Sequence, residues 1–142
     1  MSPTYLFAYG TLLPGRAPAS IADVANRLKV VGPATTAGRL YHLGGYPGCV
    51  LDSGCGQRIH GQLLELPQPA DAVLAKLDWY EGYVASDSRG SLFTRTMCQV
   101  TLGDGRQQTA WVYVYNREVG RARLIDSGKY DPRGTTQAPE HT

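Results

Sequence analysis

The sequence has no long hydrophobic run, no block of basic residues and few cysteines. No stretch approaches the roughly 20 apolar residues of a membrane-spanning helix, and the N-terminus lacks a basic region followed by an apolar signal core. The formal net charge of +2 is spread along the chain, whereas nucleic-acid binding normally requires a clustered positive surface. The sequence therefore predicts a cytoplasmic protein with neither a membrane nor a nucleic acid as its partner.

The three cysteines are an odd number, whereas a disulfide framework normally has an even one. Cys49 and Cys55 lie around a Gly-rich turn, with His42 and His60 nearby in the sequence. Their spacing matches no common pattern of zinc ligands. We expect ordinary thiols and no metal site.

Motifs for covalent catalysis and nucleotide binding are also missing. No G-x-S-x-G elbow is present, and His42, His60 and His141 fit no recognisable triad pattern. The glycines at 10 and 15 lack the Gly-Lys-Ser/Thr ending of a phosphate-binding loop. The sequence predicts neither a serine or cysteine nucleophile nor a nucleotide cofactor.

Glycine, proline and tyrosine are what the chain has in quantity. Seventeen glycines and nine prolines indicate many turns and a strand-rich fold. The length of 142 residues and the hydrophobic content of 42% predict a single globular domain over residues 1–142. The polar, Gly- and Pro-containing end predicts a flexible tail from about residue 131.

Apolar periodicity and turn residues predict the order of the elements. An N-terminal strand is followed by a helix over 20–28, strands over 30–43, 49–51 and 59–66, a helix over 70–80, and a hairpin of 93–102 with 107–115. This order predicts an α+β fold with a mixed or antiparallel sheet that closes into a small β-barrel with flanking helices.

Four residues have specific predicted roles in these elements. Ser20 is expected to cap the first helix, and Pro69 to lie in the first turn of the second. Gly82 fits the C-terminal cap of that helix. Gly38 predicts either a bulge or a close approach of another segment.

The first candidate site is the run Tyr9-Gly10-Thr11-Leu12, where an apolar strand ends in a tight turn. A glycine here lets backbone N–H groups approach a ligand closely. Such donors can hold a carboxylate or a developing oxyanion. Many strands end in a glycine turn that has no functional role. This run is therefore a candidate binding site only in combination with a second feature further along the chain.

That second feature is Glu81, which follows the predicted helix and is flanked by Trp79, Tyr80 and Tyr83. The negative end of a helix and an aromatic surrounding both disfavour a carboxylate, so we expect a raised pKa that suits a general acid/base. The alternative is a solvated glutamate, which is the common case for this residue. Asp78, one turn earlier, is interpreted as a helix-surface or capping residue.

Four motifs together resemble the γ-glutamylcyclotransferase-like family, which includes γ-glutamylamine cyclotransferases and AIG2-like proteins. They are Tyr9-Gly10-Thr11-Leu12, Gly45-Tyr46-Pro47-Gly48, Leu77-Asp78-x-x-Glu81-Gly82-Tyr83, and Phe93-Thr94-Arg95 followed by the run at 110–115. They occur in the family's order between about residues 5 and 129. One departure is Phe93, where the family's motif has a tyrosine.

The resemblance implies a small barrel with a cavity for a γ-glutamyl substrate. Residues 9–12 would contact the γ-glutamyl group through their backbone, and Glu81 would be the acid/base in an intramolecular aminolysis. This reaction releases 5-oxoproline and a free amine or amino acid, without a cofactor. Tyr46, Tyr83 and Tyr115 are possible pocket residues, although core packing explains each of them equally well.

Two other functions remain open from the sequence. One is a non-catalytic small-molecule-binding protein that keeps the γ-glutamyl cavity. The other is a tailoring enzyme that removes a γ-glutamyl protecting group from a biosynthetic intermediate through the same site. The sequence fixes neither the leaving amine nor the oligomeric state.

Overall fold

The computed structural model describes residues 3–10, 18–44 and 46–130. These residues form seven strands, two α-helices and a short 3-10 helix at Ala85–Asp87. In chain order they are β1 (Tyr5–Ala8), α1 (Ala22–Ala25), β2 (Lys29–His42), β3 (Pro47–Leu51), β4 (Arg58–Glu65), α2 (Ala70–Glu81), β5 (Phe93–Leu102), β6 (Gln107–Tyr115) and β7 (Arg123–Leu124).

Five of the strands close into a barrel in the order β2-β4-β1-β6-β5. The closing contact joins β5 to β2, where Ala34 pairs with Leu102. Neighbouring strands are antiparallel except for β1 and β6, which run parallel where Leu6 pairs with Trp111. The predicted α+β barrel of mixed strand direction with flanking helices is therefore confirmed.

Strand β2 is long enough to leave the barrel and form a second small sheet with β3 and β7. A Cβ placed on Gly38 would lie 2.5 Å from the carbonyl oxygen of Val50. The predicted close approach at Gly38 is therefore present. The break in register of β2 against β4 lies earlier, between Val30 and Gly32.

Helix α1 is shorter than the predicted helix over 20–28. Its N-cap is Ile21, which makes no side-chain capping bond, so the predicted cap at Ser20 is wrong. The backbone N–H of Ile21 donates instead to the carbonyl of Pro18, and this turn delays the helix start. Four apolar residues of this segment are buried: Ile21, Val24, Ala25 and Leu28.

Helix α2 packs against the barrel through Val73, Leu74 and Leu77, which are all buried. Pro69 is its N-cap, so the prediction that it lies in the first turn is wrong by one residue. The helix ends at Gly82, whose φ of 73° is left-handed and suits glycine best. The predicted C-terminal cap is confirmed, and it fixes where the last turn of α2 meets the barrel.

The β5–β6 hairpin has the predicted bounds. Among the described residues, no helix combines the length and apolar character that crossing a bilayer requires. The predicted tail from residue 131 lies outside the described residues.

Candidate functional site

A cavity of about 300 Å³ opens where the end of β1 meets the last turn of α2. Its described walls include residues 7–10, Pro47 at the start of β3, Glu81 at the end of α2, and Phe93 and Tyr113 from the hairpin. The volume lies at the lower end of the range for small-molecule sites. The barrel thus brings Tyr9 and Gly10 of the first predicted segment together with Glu81 around one cavity.

Glu81 is the last residue of α2 and continues the stripe that faces the barrel. Leu74, Leu77 and Glu81 follow an i, i+3, i+7 spacing, which places them on one face of the helix. Within the described residues, Glu81 makes no ion pair and no hydrogen bond. Burial raises the pKa of Glu81 to about 7 because a low-dielectric surrounding disfavours the carboxylate. A carboxyl group with this pKa gains and loses a proton near neutral pH.

The three aromatic residues near Glu81 in the sequence lie in different places. Trp79 is 69% exposed, whereas Tyr80 lines the cavity. The guanidinium carbon of Arg95 lies over the ring of Tyr83, 5.7 Å from the ring centroid. The aromatic run therefore does not surround Glu81 as a whole, and the raised pKa follows from burial.

Tyr9 and Gly10 lie on the cavity wall. The Tyr9 side chain is buried, and its hydroxyl donates to the backbone carbonyl of Tyr113 at 2.6 Å. A Cβ placed on Gly10 would lie 2.7 Å from Cγ of Pro47, so a larger residue would have to displace the proline. Thr11 and Leu12 lie outside the described residues, and their proposed donor role stays a prediction.

The side chain of Asp78 is part of a network rather than a free surface group, while its backbone carbonyl does take part in the C-terminal cap of α2. Its Oδ1 accepts from Arg95 Nε at 2.7 Å and its Oδ2 from Nη2 at 3.1 Å. The Tyr113 hydroxyl donates to the same Oδ1 at 2.7 Å. The side chains of the ion pair are 17% and 18% exposed, so solvent screens the pair only partly.

The sequence interpretation missed this network, although one signal was available. Asp78 follows Leu74 by four residues, which places it beside the buried stripe of α2. Arg95 lies on β5, and its guanidinium is 4.3 Å from the ring centroid of Trp111 on the neighbouring strand. Such cation–π contact and a two-bond ion pair hold the Arg95 side chain in one orientation.

Aromatic rings form the apolar side of the cavity. Tyr46 lines it, and its ring centroid lies 6.0 Å from that of Phe93. Phe93 also meets Tyr115 edge-on at 5.6 Å. At the position where the family's motif has a tyrosine, this chain therefore presents a buried ring without a hydroxyl. Tyr83 and Tyr115 are not among the described walls, and their pocket role stays a prediction.

The cysteines are free thiols. Cys49 is buried, and burial raises its pKa, so its reactive thiolate form is disfavoured. No group of three His, Cys, Asp or Glu residues that could hold a metal ion occurs in the part of the chain described.

Comparison with known families gives a match over most of the chain. The model of the family described as "Gamma-glutamyl cyclotransferase, AIG2-like" matches residues 6–132. The gamma-glutamylcyclotransferase family protein YtfP of Escherichia coli (strain K12) is 36% identical over 92 residues, which are 65% of this chain and 66% of that protein. The match thus spans just under two thirds of the relative's length.

Solved structures share the fold at lower identity. An AIG2-like protein from Mus musculus superposes with a TM-score of 0.70 and 20% identity, covering 94% of each chain. YkqA from Bacillus subtilis gives a TM-score of 0.69 and 19% identity, covering 99% of this chain but 44% of that one. At these identities the superpositions establish the barrel and its helices.

Proposed function

The chain belongs to the gamma-glutamyl cyclotransferase, AIG2-like family, and from that premise we propose that it converts a γ-glutamyl substrate to 5-oxoproline and a free amine or amino acid. The observation that carries this proposal is Glu81, whose carboxyl lines the cavity without a hydrogen-bond partner among the described residues and has a pKa of about 7. General acid/base catalysis is most effective when the pKa of the group lies near the working pH.

The reaction is an intramolecular aminolysis. Glu81, as a carboxylate, takes a proton from the α-ammonium of the substrate, and the freed amine attacks the γ-carbonyl carbon. Glu81, now protonated, gives this proton to the leaving nitrogen and then takes the second proton from the ring nitrogen. The bond from the γ-carbon to the leaving nitrogen breaks, which leaves 5-oxoproline and the amine, and the amine takes the remaining proton so that Glu81 is again a carboxylate.

The protein's main task in this mechanism is to fold the substrate into a reactive conformer. Nucleophile and electrophile belong to one molecule, so the ring closure needs no cofactor and no covalent enzyme intermediate. The backbone of residues 9–12 is the proposed anchor for the γ-glutamyl group and the stabiliser of the developing oxyanion.

We also propose that the protein is cytoplasmic, since free thiols stay reduced in that compartment.

The proposal is tested by incubating purified protein with a series of γ-glutamyl amides and γ-glutamyl amino acids and measuring 5-oxoproline. Glu81→Gln should lower turnover by about 10²- to 10⁴-fold, because the amide cannot carry the proton. Wild-type activity should rise with pH through about 7, as the carboxylate forms, and this dependence should be lost in the variant.

Glu118→Gln is the matched control, since Glu118 is exposed and lies outside the described cavity walls. It should turn over substrate as the wild type does. Unchanged turnover in Glu81→Gln would exclude the proposed role of Glu81. Binding of γ-glutamyl compounds without any product would favour the non-catalytic binding protein.

A further inference from the structure

The two buried tyrosines of the cavity wall both direct their hydroxyl protons to other protein atoms. Tyr9 donates to the backbone carbonyl of Tyr113 at 2.6 Å, and Tyr113 donates to Asp78 Oδ1 at 2.7 Å. A hydroxyl whose single proton is used in this way can only accept a further hydrogen bond. The phenol oxygen of Tyr9 already accepts from the backbone N–H of Cys49, so Tyr113 is the one of the two that is left as an acceptor for a ligand.

The direction of the Tyr113 bond is fixed by the ion pair behind it. Both carboxylate oxygens of Asp78 accept from Arg95, and an ionised carboxylate has no proton to donate. Arg95 is itself held by Trp111 and Tyr83. The hydrogen between Tyr113 and Asp78 must therefore come from the tyrosine.

The charge of the cavity agrees with this acceptor. Glu81 is the acidic wall residue, and no Lys, Arg or His is among the described walls. A site that offers an acceptor and one carboxyl group favours a ligand with a positively charged donor. An ammonium group supplies three donors and one positive charge.

We propose that Tyr113, with its proton held by Asp78, is a specificity-determining residue that accepts a hydrogen bond from the α-ammonium of the substrate. Asp78 is the positioning residue that keeps Tyr113 an acceptor. This inference rests on the proposed function, since the α-ammonium belongs to the γ-glutamyl group. It assigns the selection of that group to a side chain other than the acid/base.

The test compares γ-glutamyl butylamide with glutaryl butylamide, which lacks only the α-amino group. Binding is measured by calorimetry in a Glu81→Gln background, where turnover is expected to be about 10²- to 10⁴-fold slower, and the outcome does not depend on product formation. This parent protein should prefer the γ-glutamyl ligand. Adding Tyr113→Phe should weaken that ligand about tenfold and leave the glutaryl ligand within about twofold, because one charge-assisted hydrogen bond is lost.

Tyr5→Phe in the same background is the control, because it removes a hydroxyl from β1 outside the described cavity walls. It should change neither affinity. Equal weakening of both ligands by Tyr113→Phe would indicate general damage to the cavity and would overturn the proposal. Unchanged binding of both, or a parent without preference for the γ-glutamyl ligand, would also overturn it.

Asp78→Asn tests the positioning role. The amide offers one acceptor oxygen where the carboxylate serves three donated bonds, so the hydroxyl of Tyr113 is no longer fixed as an acceptor. The preference for the γ-glutamyl ligand should fall, while a thermal melt verifies that the variant is folded at the assay temperature. An unchanged preference in the folded variant would remove Asp78 from the proposal.

Discussion

Asp78 and Glu81 lie one helical turn apart at the end of α2, yet their surroundings are opposite. Asp78 is held by a guanidinium and a phenol hydroxyl, whereas Glu81 makes no hydrogen bond among the described residues and has a pKa near 7. Hydrogen bonds to a carboxylate stabilise its charge, and burial without them favours its protonated form. One helix end therefore carries a structural anion and a proton carrier side by side.

The largest effect is expected from Asp78→Ala, which removes the hydrogen-bonded carboxylate of this comparison. The change leaves Arg95 and the Tyr113 hydroxyl without their acceptor at a site that is 17–18% exposed. We expect a loss of about 3 kcal/mol in the free energy of unfolding, measured by chemical denaturation. Asp104→Ala removes the acid of an exposed pair and should cost far less. Equal losses would mean that Asp78 contributes no more than a surface carboxylate.

For Glu81, the raised pKa predicts a pH-dependent contribution to the free energy of unfolding. The folded protein holds the Glu81 proton more tightly than the unfolded chain, whose glutamate has a pKa near 4.5. This contribution to stability is complete below pH 4.5 and is lost as the pH rises through about 7. Between about pH 5 and 8, the wild type should lose about 2 kcal/mol relative to Glu81→Gln.

The measurement is denaturation of both proteins across that pH range. Because the glutamine side chain does not titrate, it subtracts the pH dependence of every other group. A difference between wild type and variant that stays constant with pH would show that Glu81 titrates as an exposed carboxyl.

Arg95→Lys gives the smallest expected effect. Lysine keeps the positive charge but loses the paired N–H donors and the flat contact with Trp111. We expect a loss of about 1 kcal/mol in the free energy of unfolding, with Arg39→Lys at the more exposed Asp52 pair as control. Equal stability of Arg95→Lys and the wild type would indicate that the positive charge alone is sufficient to stabilise the carboxylate of Asp78.

Much of the fold follows from local patterns. The hairpin of β5 and β6 was predictable because Gly103-Asp104-Gly105 separates two apolar runs, and Gly82 marked the end of α2. The bounds of helix α1 were harder to predict. Apolar periodicity alone indicates a helix over 20–28, but the first residues of this segment form a turn in which Ile21 donates to Pro18.

The site divides in the same way. Glu81 was recognisable from its place at a helix end, but the expected aromatic surrounding was wrong for Trp79, which faces solvent. The role of Asp78 depends on Arg95 and Tyr113, which are distant in sequence and meet it only through barrel closure. Pairings of that kind leave no local pattern to find.

Closure of the barrel also sets an order of events during synthesis. Strand β1 cannot pair with β6, where Leu6 meets Trp111, until β6 has been synthesised. The same holds for the pairing of β2 with β5. Helix α2 leaves the ribosome before either partner, so Glu81 emerges as an ordinary solvated carboxylate. Its pKa rises only when Phe93 and Tyr113 of the hairpin complete the walls around it, because burial is what disfavours the carboxylate. A nascent chain that stops before β6 therefore carries Glu81 without the chemistry of the finished protein.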